Sequence, residues 1–519
     1  MKFASGPEGC ECLENYIPGG YHPVAIGDEF DEGRYRIIHK LGAGGFATVW
    51  LARDTQEETN VALKIIMADA SEHSRELDIY NHLAETNDDD EDKPSHITRL
   101  LDAFWHQGPN GCHRVVVTEL GGPSLAAFRD HFKIRPDIVR SLAKQLVAAI
   151  QELHDAGVVH GDLAPANILI RPAGIDKLSE EELYERFGRP EPLELQPIDD
   201  EIVIDEHVPQ HIYDTIDPNV MKVDQIKSPE IMLIDFGEAY LLESEEVPKE
   251  FGNNLAYASP ETIVMEEKAC KASDIWALAC IMFEMRSSEQ LFTDGRGEPS
   301  FVRSEMIDTI GYMPEHYLKK VLGDNYKPET ADDEEETTEE KEGDTSSYPS
   351  IIGGRVRSAL NWVASVFKKG SSSKPKPAEK SLHEQSLAGR VDSIGEWKPW
   401  CSMTVSKRVS TYKKYLRASR TSRVRDSEVP EWVREESAPP PPKLSPGEQH
   451  DFLELLTSIL KWLPEDRPSL EEISKHKYFS KSYLYAAGCD ESRPWLEKFY
   501  WGLSLTYQSG RNNKTIVLC

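Results

Sequence analysis

The sequence predicts an α+β chain, with strand-like runs crowded towards its N-terminal part and helices after them. Three observations carry this. Strand-like runs crowd the stretch from Tyr35 to Gly122, around a glycine-rich segment. A helical stripe follows: Ile138, Leu142, Leu146, Ala149, Ile150 and Leu153 recur at helical spacing between Arg135 and Ala156. The polar loop His160-Gly161-Asp162-Leu163-Ala164-Pro165-Ala166-Asn167 then opens onto the apolar run Ile168-Leu169-Ile170.

The first strand-like runs are Tyr35-Arg36-Ile37-Ile38 and Val49-Trp50-Leu51-Ala52. Between them lies Leu41-Gly42-Ala43-Gly44-Gly45-Phe46-Ala47-Thr48-Val49. Glycines at 42 and 44 let backbone N–H groups approach phosphate oxygens with no Cβ in the way. Ala47 stands where a third glycine often follows. A plain hairpin turn is the competing reading of this segment alone. A helix-opening dinucleotide loop is disfavoured, because the run that follows is strand-like.

Val61-Ala62-Leu63-Lys64 comes next. A lone lysine in an apolar strand usually snorkels to the surface. Behind a glycine loop it can reach the α- and β-phosphates of a nucleotide. It then needs a carboxylate to hold it. Glu76, in the helix-like Ser74–Tyr80, is the best candidate, and Asp78 is the rival on another face of that helix. The strand Arg114–Thr118 and the turn Glu119-Leu120-Gly121-Gly122 suit a hinge where backbone groups meet adenine.

The loop at 160–167 supplies a carboxylate and a carboxamide five residues apart. Phosphoryl transfer uses such a pair: Asp162 orients the attacking hydroxyl and accepts its proton, and Asn167 holds a metal ion. Asp235-Phe236-Gly237 follows the strand-like Ile231-Met232-Leu233-Ile234. Asp235 is then the main magnesium ligand and Asn167 the second.

Together these segments resemble the eukaryotic protein kinases. Three further matches separate them from small-molecule kinases that share an HGD…N loop. Ser259-Pro260-Glu261 looks like the end of an activation segment. Ser273-Asp274-Ile275-Trp276-Ala277-Leu278-Ala279 looks like the buried helix that anchors the catalytic loop through Asp274. Pro464-Glu465-Asp466-Arg467-Pro468 looks like the turn whose arginine pairs with Glu261, and His476-Lys477-Tyr478-Phe479 resembles the usual domain ending. The resemblance implies the bilobal protein-kinase fold, a small β-rich N-lobe and a larger α-helical C-lobe, here with two long insertions. It also implies that Val49, Ala62 and Leu169 sandwich adenine, while Tyr80, His160 and Phe236 stack between the lobes.

A finer resemblance is to the SR-protein kinases, which phosphorylate serines in Arg-Ser-rich segments. It rests on the leader Tyr16-Ile17-Pro18-Gly19-Gly20-Tyr21-His22-Pro23-Val24-Ala25-Ile26-Gly27-Asp28, on Arg34–Gly42, and on Phe46–Ala52. That family also carries an insertion between the catalytic loop and the magnesium aspartate. Here one runs from about Arg171 to Pro229.

Two positions depart from the family pattern. Gly161 replaces the arginine that pairs with a phosphorylated activation segment in many regulated kinases; SR-protein kinases lack it too. Ala164 replaces the lysine that stabilises charge on the transferring phosphate. Losing one such cation costs about 10²-fold or more in rate. Lys249 is the basic residue between Gly237 and Pro260 that could substitute.

Composition bounds the remaining choices. The 519 residues carry 59 Lys and Arg against 90 Asp and Glu, a net charge of −31. That balance points away from nucleic acid as a direct ligand and is compatible with a basic peptide. The 8 cysteines are scattered; Cys10 and Cys12 are close, with no second pair to complete a zinc site. Reduced thiols in a cytoplasmic or nuclear protein are the simplest reading. No signal peptide or transmembrane run is expected, and the final Ile516-Val517-Leu518-Cys519 is not a prenylation box.

The domain reading is a leader over 1–30, a catalytic domain over 31–480 and a C-terminal extension over 481–519. Within the domain, the N-lobe spans about 31–121 and the C-lobe about 122–480. The insertions cover about 171–229 and 322–449. The first insertion either docks along the domain or loops out. The second reads as largely disordered, except for one helical face of Val356, Leu360, Val363 and Phe367 beside Arg355, Arg357, Lys368 and Lys369. Arg417–Arg425 is a candidate self-substrate or pseudosubstrate.

The expected activity is ATP- and Mg²⁺-dependent transfer of the γ-phosphate to Ser or Thr of a protein substrate, of Arg-Ser type, by a monomer. Two readings compete with it. One is a nucleotide-binding pseudokinase scaffold, motivated by Ala164. The other is a small-molecule phosphotransferase, motivated by the wording of the loop at His160. Acidic residues between Glu289 and Glu305 are a candidate receptor for basic substrate side chains.

Overall fold

A computed structural model describes residues 10–86, 95–127, 135–172, 174–195, 205–217, 229–244, 254–293, 297–323, 385–394 and 443–483. The helical face at 356–367, the Arg417–Arg425 segment and Lys249 lie outside the described residues.

The N-lobe is built on one antiparallel sheet. Its strands are β1 (Glu29–Phe30), β2 (Tyr35–Ala43), β3 (Ala47–Asp54), β4 (Thr59–Ile66), β5 (Leu100–Gly108) and β6 (Gly111–Glu119), in the order β1-β2-β3-β4-β6-β5. β3 and β4 pair without a break from Ala47 opposite Ile66 to Asp54 opposite Thr59. Alternation of side chains then sorts the residues by face. Trp50, Leu63, Ile65, Val115 and Val117 build one apolar cluster. Ala47, Leu51, Ile66 and Val116 belong to the core that continues into the C-lobe. Helix α1 (Ala68–Ser71) and the longer α2 (Glu76–Thr86) cross from β4 towards β5.

The C-lobe is helical. Helix α3 (Pro136–Asp155) carries the expected stripe, with Leu142, Leu146, Ala149, Ile150 and Leu153 buried. The short strands β7 (Val158–Val159) and β8 (Ile168–Ile170) flank the loop at 160–167. Next come α4 (Glu180–Phe187), β9 (Pro192–Glu194), β10 (His211–Tyr213), β11 (Ile231–Leu233) and β12 (Tyr240–Leu241). Pairing of β8 with β11 and of β7 with β12 brings the segment at Asp235 beside the loop at Asp162. The rest are α5 (Pro260–Met265), α6 (Lys271–Ser287), α7 (Pro299–Ile310), α8 (Glu315–Leu322), α9 (Leu387–Asp392), α10 (Pro446–Ile459), α11 (Leu470–Ser474) and α12 (Lys477–Ser480). Helix α6 is buried on nearly every face, from Ser273 to Glu284. Among the described residues no helix is long and apolar enough to cross a membrane.

The described part of the first insertion docks on the N-lobe. Asn60 donates from its amide side chain to the carbonyls of Ile175 (2.9 Å) and Leu178 (2.8 Å). The β9–β10 hairpin adds Leu195 and Ile212 to an apolar cluster with Leu13, Tyr16 and Tyr21 of the leader. The second insertion is shorter than its sequence boundaries suggest. Its expected end at Gln449 falls inside α10, which starts at Pro446 because Ser445 caps it, accepting from the Glu448 N–H. Residues Leu387–Asp392, also inside that span, form α9.

One buried ion pair ties the lobe's far ends together. Arg467 donates to both oxygens of Glu261, at 2.8 and 2.6 Å, and also to the Ala272 carbonyl at 2.8 Å. Both side chains are essentially unexposed. Burial raises the Glu261 carboxyl, but the hydrogen bonds and charge of Arg467 outweigh it and hold it below the usual range. Arg467→Met should leave that carboxylate buried without its partner and cost about 3–5 kcal/mol. Thermal and urea unfolding would read the loss, and unchanged stability would refute this role for the pair.

Candidate active site

Lys64 is placed by strand register. It lies opposite Val49 on β3 and Val116 on β6, on the face that looks into the cleft between the lobes. Its Nζ is 2.8 Å from Glu76 Oε2 and 2.7 Å from Asp235 Oδ1. Glu76 is buried at the start of α2, whereas Asp78 is exposed, so the pairing selects Glu76 over its rival. The charges are strongly coupled. The Lys64 charge, together with its hydrogen bond, lowers the Asp235 carboxyl against burial. Burial opposes the Lys64 ammonium, but Asp235 and Glu76 together raise its pKa. Glu76 is pushed up by burial; Lys64 lowers it, and the Asp235 charge adds to the rise.

The loop at 160–167 is pinned from α6. Asp274, buried, accepts the His160 N–H and the Gly161 N–H, each at 3.0 Å, and His154 Nε2 lies at 2.9 Å. Gly161 adopts φ +77°, and a Cβ there would come within 3.1 Å of the Glu238 carbonyl oxygen. The turn therefore demands glycine where many kinases have arginine. Asn167 Nδ2 donates to the Asp162 carbonyl at 2.9 Å and to Asp162 Oδ2 at 3.3 Å. Burial raises the Asp162 carboxyl; His160 and the Asn167 amide pull it down, and the Asp235 charge pushes it up. Ala164 is buried, two residues past Asp162. A cavity beside Asp162 is lined by Asn254, Tyr257, Ser259 and Thr262 of the segment running into α5.

The donor set fits a divalent cation. The Asn167 amide bonds through its nitrogen, which directs its oxygen to other partners. Asp235 bonds Lys64 and the Gly237 N–H through Oδ1 and is 42% exposed, so carboxylate surface faces the cleft. Its backbone sits at φ +67°, an uncommon conformation for a non-glycine residue. Hard oxygen ligands of this kind suit Mg²⁺.

The expected nucleotide cradle is assembled in part from side chains and in part from backbone. Gly42 and Ala43 end β2, Ala47 opens β3, and Gly44, Gly45 and Phe46 form the tip, where the Gly44 N–H donates to the Ala47 carbonyl at 2.8 Å. The segment is thus a hairpin and a glycine loop at once. A Cβ at Gly42, Gly44 or Gly45 would meet nothing within 4 Å. Leu41 is partly buried against the main core, and Ala62 is buried. Leu169 packs so closely on Gly121 that a Cβ there would come within 2.2 Å of it.

Three of the expected residues point elsewhere. Thr48 lies on the opposite face of β3 from Val49, buried, with its hydroxyl accepting from Trp50 Nε1 at 3.0 Å. Phe46 is 66% exposed at the loop tip. The Glu119 carboxylate pairs with Arg99 (2.7 Å) and Arg171 (3.1 Å). For these residues a nucleotide contact would come from the backbone. Tyr80 and His160 both pack on Phe236, at ring separations of 5.1 and 5.5 Å, and form the stack that the resemblance implied.

Two features carry no sequence signature. Asp162 accepts a hydrogen bond from the backbone of Asn254, which no side-chain motif announces. The other is Arg390: α9 brings it within the influence of Glu289 and Glu305, which bound the acidic stretch picked out in the sequence, and of Asp308. Arg390 also donates to the Leu291 carbonyl at 2.8 Å.

With that geometry in place, similarity to known proteins decides the family. The chain matches the protein kinase domain over residues 35–180 and 214–342, just over half its length. It belongs to the protein kinases. The unmatched stretch between the two blocks lies inside the first insertion. Serine/threonine-protein kinase SRPK of Physarum polycephalum is 30% identical over 348 residues, 61% of this chain and 75% of that protein. Serine/threonine-protein kinase SKY1 of Saccharomyces cerevisiae is 38% identical over 175 residues. Protein kinase dsk1 of Schizosaccharomyces pombe is 42% identical over 168 residues. These matches cover 32% and 31% of this chain, and only 24% and 30% of the two yeast kinases. The chain is a kinase related to the SRPK group.

The pairing of Lys64 makes a prediction about this kinase. Lys64→Met should weaken ADP binding in the presence of Mg²⁺ by about tenfold or more, the scale of removing one charge-assisted hydrogen bond. Asp78→Asn should leave it unchanged. Calorimetric titration distinguishes the two, and equal affinities would remove Lys64 from the nucleotide site.

Proposed function

We propose that this kinase transfers the γ-phosphate of ATP to serine or threonine hydroxyls of basic, Arg-Ser-type protein segments. One observation carries the reading: Lys64, Glu76, Asp235, Asp162 and Asn167 converge on a single cleft, with Lys64 bridging Glu76 and Asp235 at 2.8 and 2.7 Å. Lys64 holds the α- and β-phosphates. Asp162 orients the substrate hydroxyl. The hydroxyl oxygen attacks the γ-phosphorus, the bond to the ADP oxygen breaks, and the proton passes to Asp162. Burial lifts the Asp162 carboxyl towards a better proton acceptor. Asp235 and Asn167 would hold Mg²⁺, which when bound would neutralise charge on the phosphates. The glycines at 42, 44 and 45 support the phosphate role, since neither packing nor positive φ in the protein itself requires them.

A protein substrate is favoured over a small molecule by the buried Glu261–Arg467 pair, which anchors the start of α5 just after the segment facing the catalytic loop. The preference for basic substrates draws on Glu289, Glu305 and Asp308, whose charges act together on the nearby guanidinium of Arg390. Localisation in the cytoplasm or nucleus, and action as a monomer, go with this reading. A scaffold that binds nucleotide without transfer is the second reading, and Ala164 is the observation behind it.

The deciding experiment is transfer of label from γ-labelled ATP with Mg²⁺ to an Arg-Ser-repeat peptide and to a generic basic peptide. Wild type should transfer, with preference for the Arg-Ser peptide. Asp162→Ala should lose about 10²- to 10⁴-fold. Ala164→Lys should gain roughly tenfold or more by restoring a cation near the transferring phosphate. Nucleotide binding with no transfer in any variant would establish the scaffold. In the same assay, reversing Glu289 and Glu305 to lysine should raise the KM for the Arg-Ser peptide with little change in kcat. An unaltered KM would remove the acidic group from substrate recognition.

A further inference from the structure

We propose that Tyr21 is a positioning residue for the glycine-rich loop, and that leader and first insertion together form a clasp that sets nucleotide affinity. This rests on the nucleotide-binding part of the proposed function.

The Tyr21 ring is buried, and its single hydroxyl proton is shared between the carbonyls of Gly44 (2.7 Å) and Gly45 (3.1 Å), at the tip of the loop. The next carbonyl, that of Phe46, accepts from the Met67 N–H at 2.8 Å. Three consecutive peptide carbonyls are therefore held from outside the loop. A planar trans peptide points its N–H opposite to its C=O. Fixing the carbonyls of Gly44 and Gly45 towards Tyr21 thus turns the N–H groups of Gly45 and Phe46 away from it. Those are the donors a phosphate needs. The glycines have no side chains to pack, so an unheld tip would sample many conformations, and nucleotide binding would have to oppose that entropy. A preset tip binds more tightly.

The clasp is built from both segments. Glu11 of the leader forms a buried ion pair with Lys40, the residue just before Leu41. Tyr16 donates to the same carboxylate at 2.5 Å. From the other side, the Ile216 N–H of the insertion donates to the Lys40 carbonyl at 3.2 Å. The Tyr21 carbonyl accepts from Asn110 Nδ2 at 2.6 Å, and that amide group also bonds the insertion's His207 through its backbone carbonyl and ring. Leu195 and Ile212 close the apolar side over Leu13, Tyr16 and Tyr21. Apolar packing alone would dock the leader; it would not need a hydroxyl aimed at the loop tip.

Tyr21→Phe keeps the ring and removes that hydroxyl. The affinity for ADP with Mg²⁺ should weaken about three- to tenfold, the scale of removing one neutral hydrogen bond. The KM for ATP should rise in step, with the peptide KM unchanged. Amide hydrogen exchange at 42–46 should quicken in the nucleotide-free protein, while the melting temperature stays close to wild type. Leu195→Asp, a change in the insertion, should quicken exchange at the same amides. Unchanged ADP affinity and loop exchange in Tyr21→Phe, with wild type binding normally, would overturn the clasp alone. Failure of wild type itself to bind ADP would overturn the nucleotide reading and the affinity claim with it.

Discussion

The carboxylate of Asp274 is the point on which the catalytic half of the molecule hangs. A charge buried in a helix is costly unless its oxygens are satisfied. Asp274 meets that condition by accepting two consecutive backbone N–H groups, from His160 and Gly161, with His154 alongside. Those two bonds fix the entry to the catalytic loop. The loop then fixes Asp162, Asp162 is bonded by Asn167, and His160 packs under Phe236. Phe236 follows Asp235, whose carboxylate receives Lys64 from the other lobe. One satisfied buried charge thus fixes the reference frame for residues drawn from three separate stretches of the chain.

Legibility in the sequence follows range. Lys64, Asp162, Asn167 and Asp235 sit in short local patterns whose spacing carries the chemistry, and the structure brings them together. Glu76 and Asp78 are equivalent in sequence until helix direction separates them; two residues on a helix differ by about 200° of rotation. Thr48 shows where local reading fails. A strand alternates faces, so adjacency to Val49 in sequence means separation across the sheet. The start of α10 does have a local signature, against the insertion boundary at Gln449: Ser445-Pro446-Gly447-Glu448 has the cap, the proline at the first helical position and the glutamate at the third.

Contact between segments distant in sequence and without a shared motif is not legible in this way. Lys40 looks like any strand lysine, yet its side chain is wholly buried against Glu11. Leu13 and Tyr16 of the leader meet Leu195 and Ile212 of the insertion, with the whole N-lobe sheet between them in sequence. Hydropathy identifies such residues as buried but not their partners. The same limit applies to Arg390, whose place among Glu289, Glu305 and Asp308 depends on α9 returning from the second insertion.

The glycine loop concentrates a physical conflict. It must be supple enough to admit a nucleotide and release the product, yet ordered enough to present its N–H groups. Glycine supplies the first property and weakens the second. Holding the loop by the Tyr21 hydroxyl reconciles them, because a hydrogen bond net of solvent exchange is worth only about 0.5–1.5 kcal/mol. That is enough to bias the tip and small enough to break on each turnover. A covalent or apolar brace of the same residues would fix the loop too firmly. The buried Glu11–Lys40 pair, which does not need to open, lies one step back at the base of the loop, where β2 is already paired with β3. Strong interactions therefore hold the base and a weak one holds the tip, the distribution that a loop closing over a transient ligand requires.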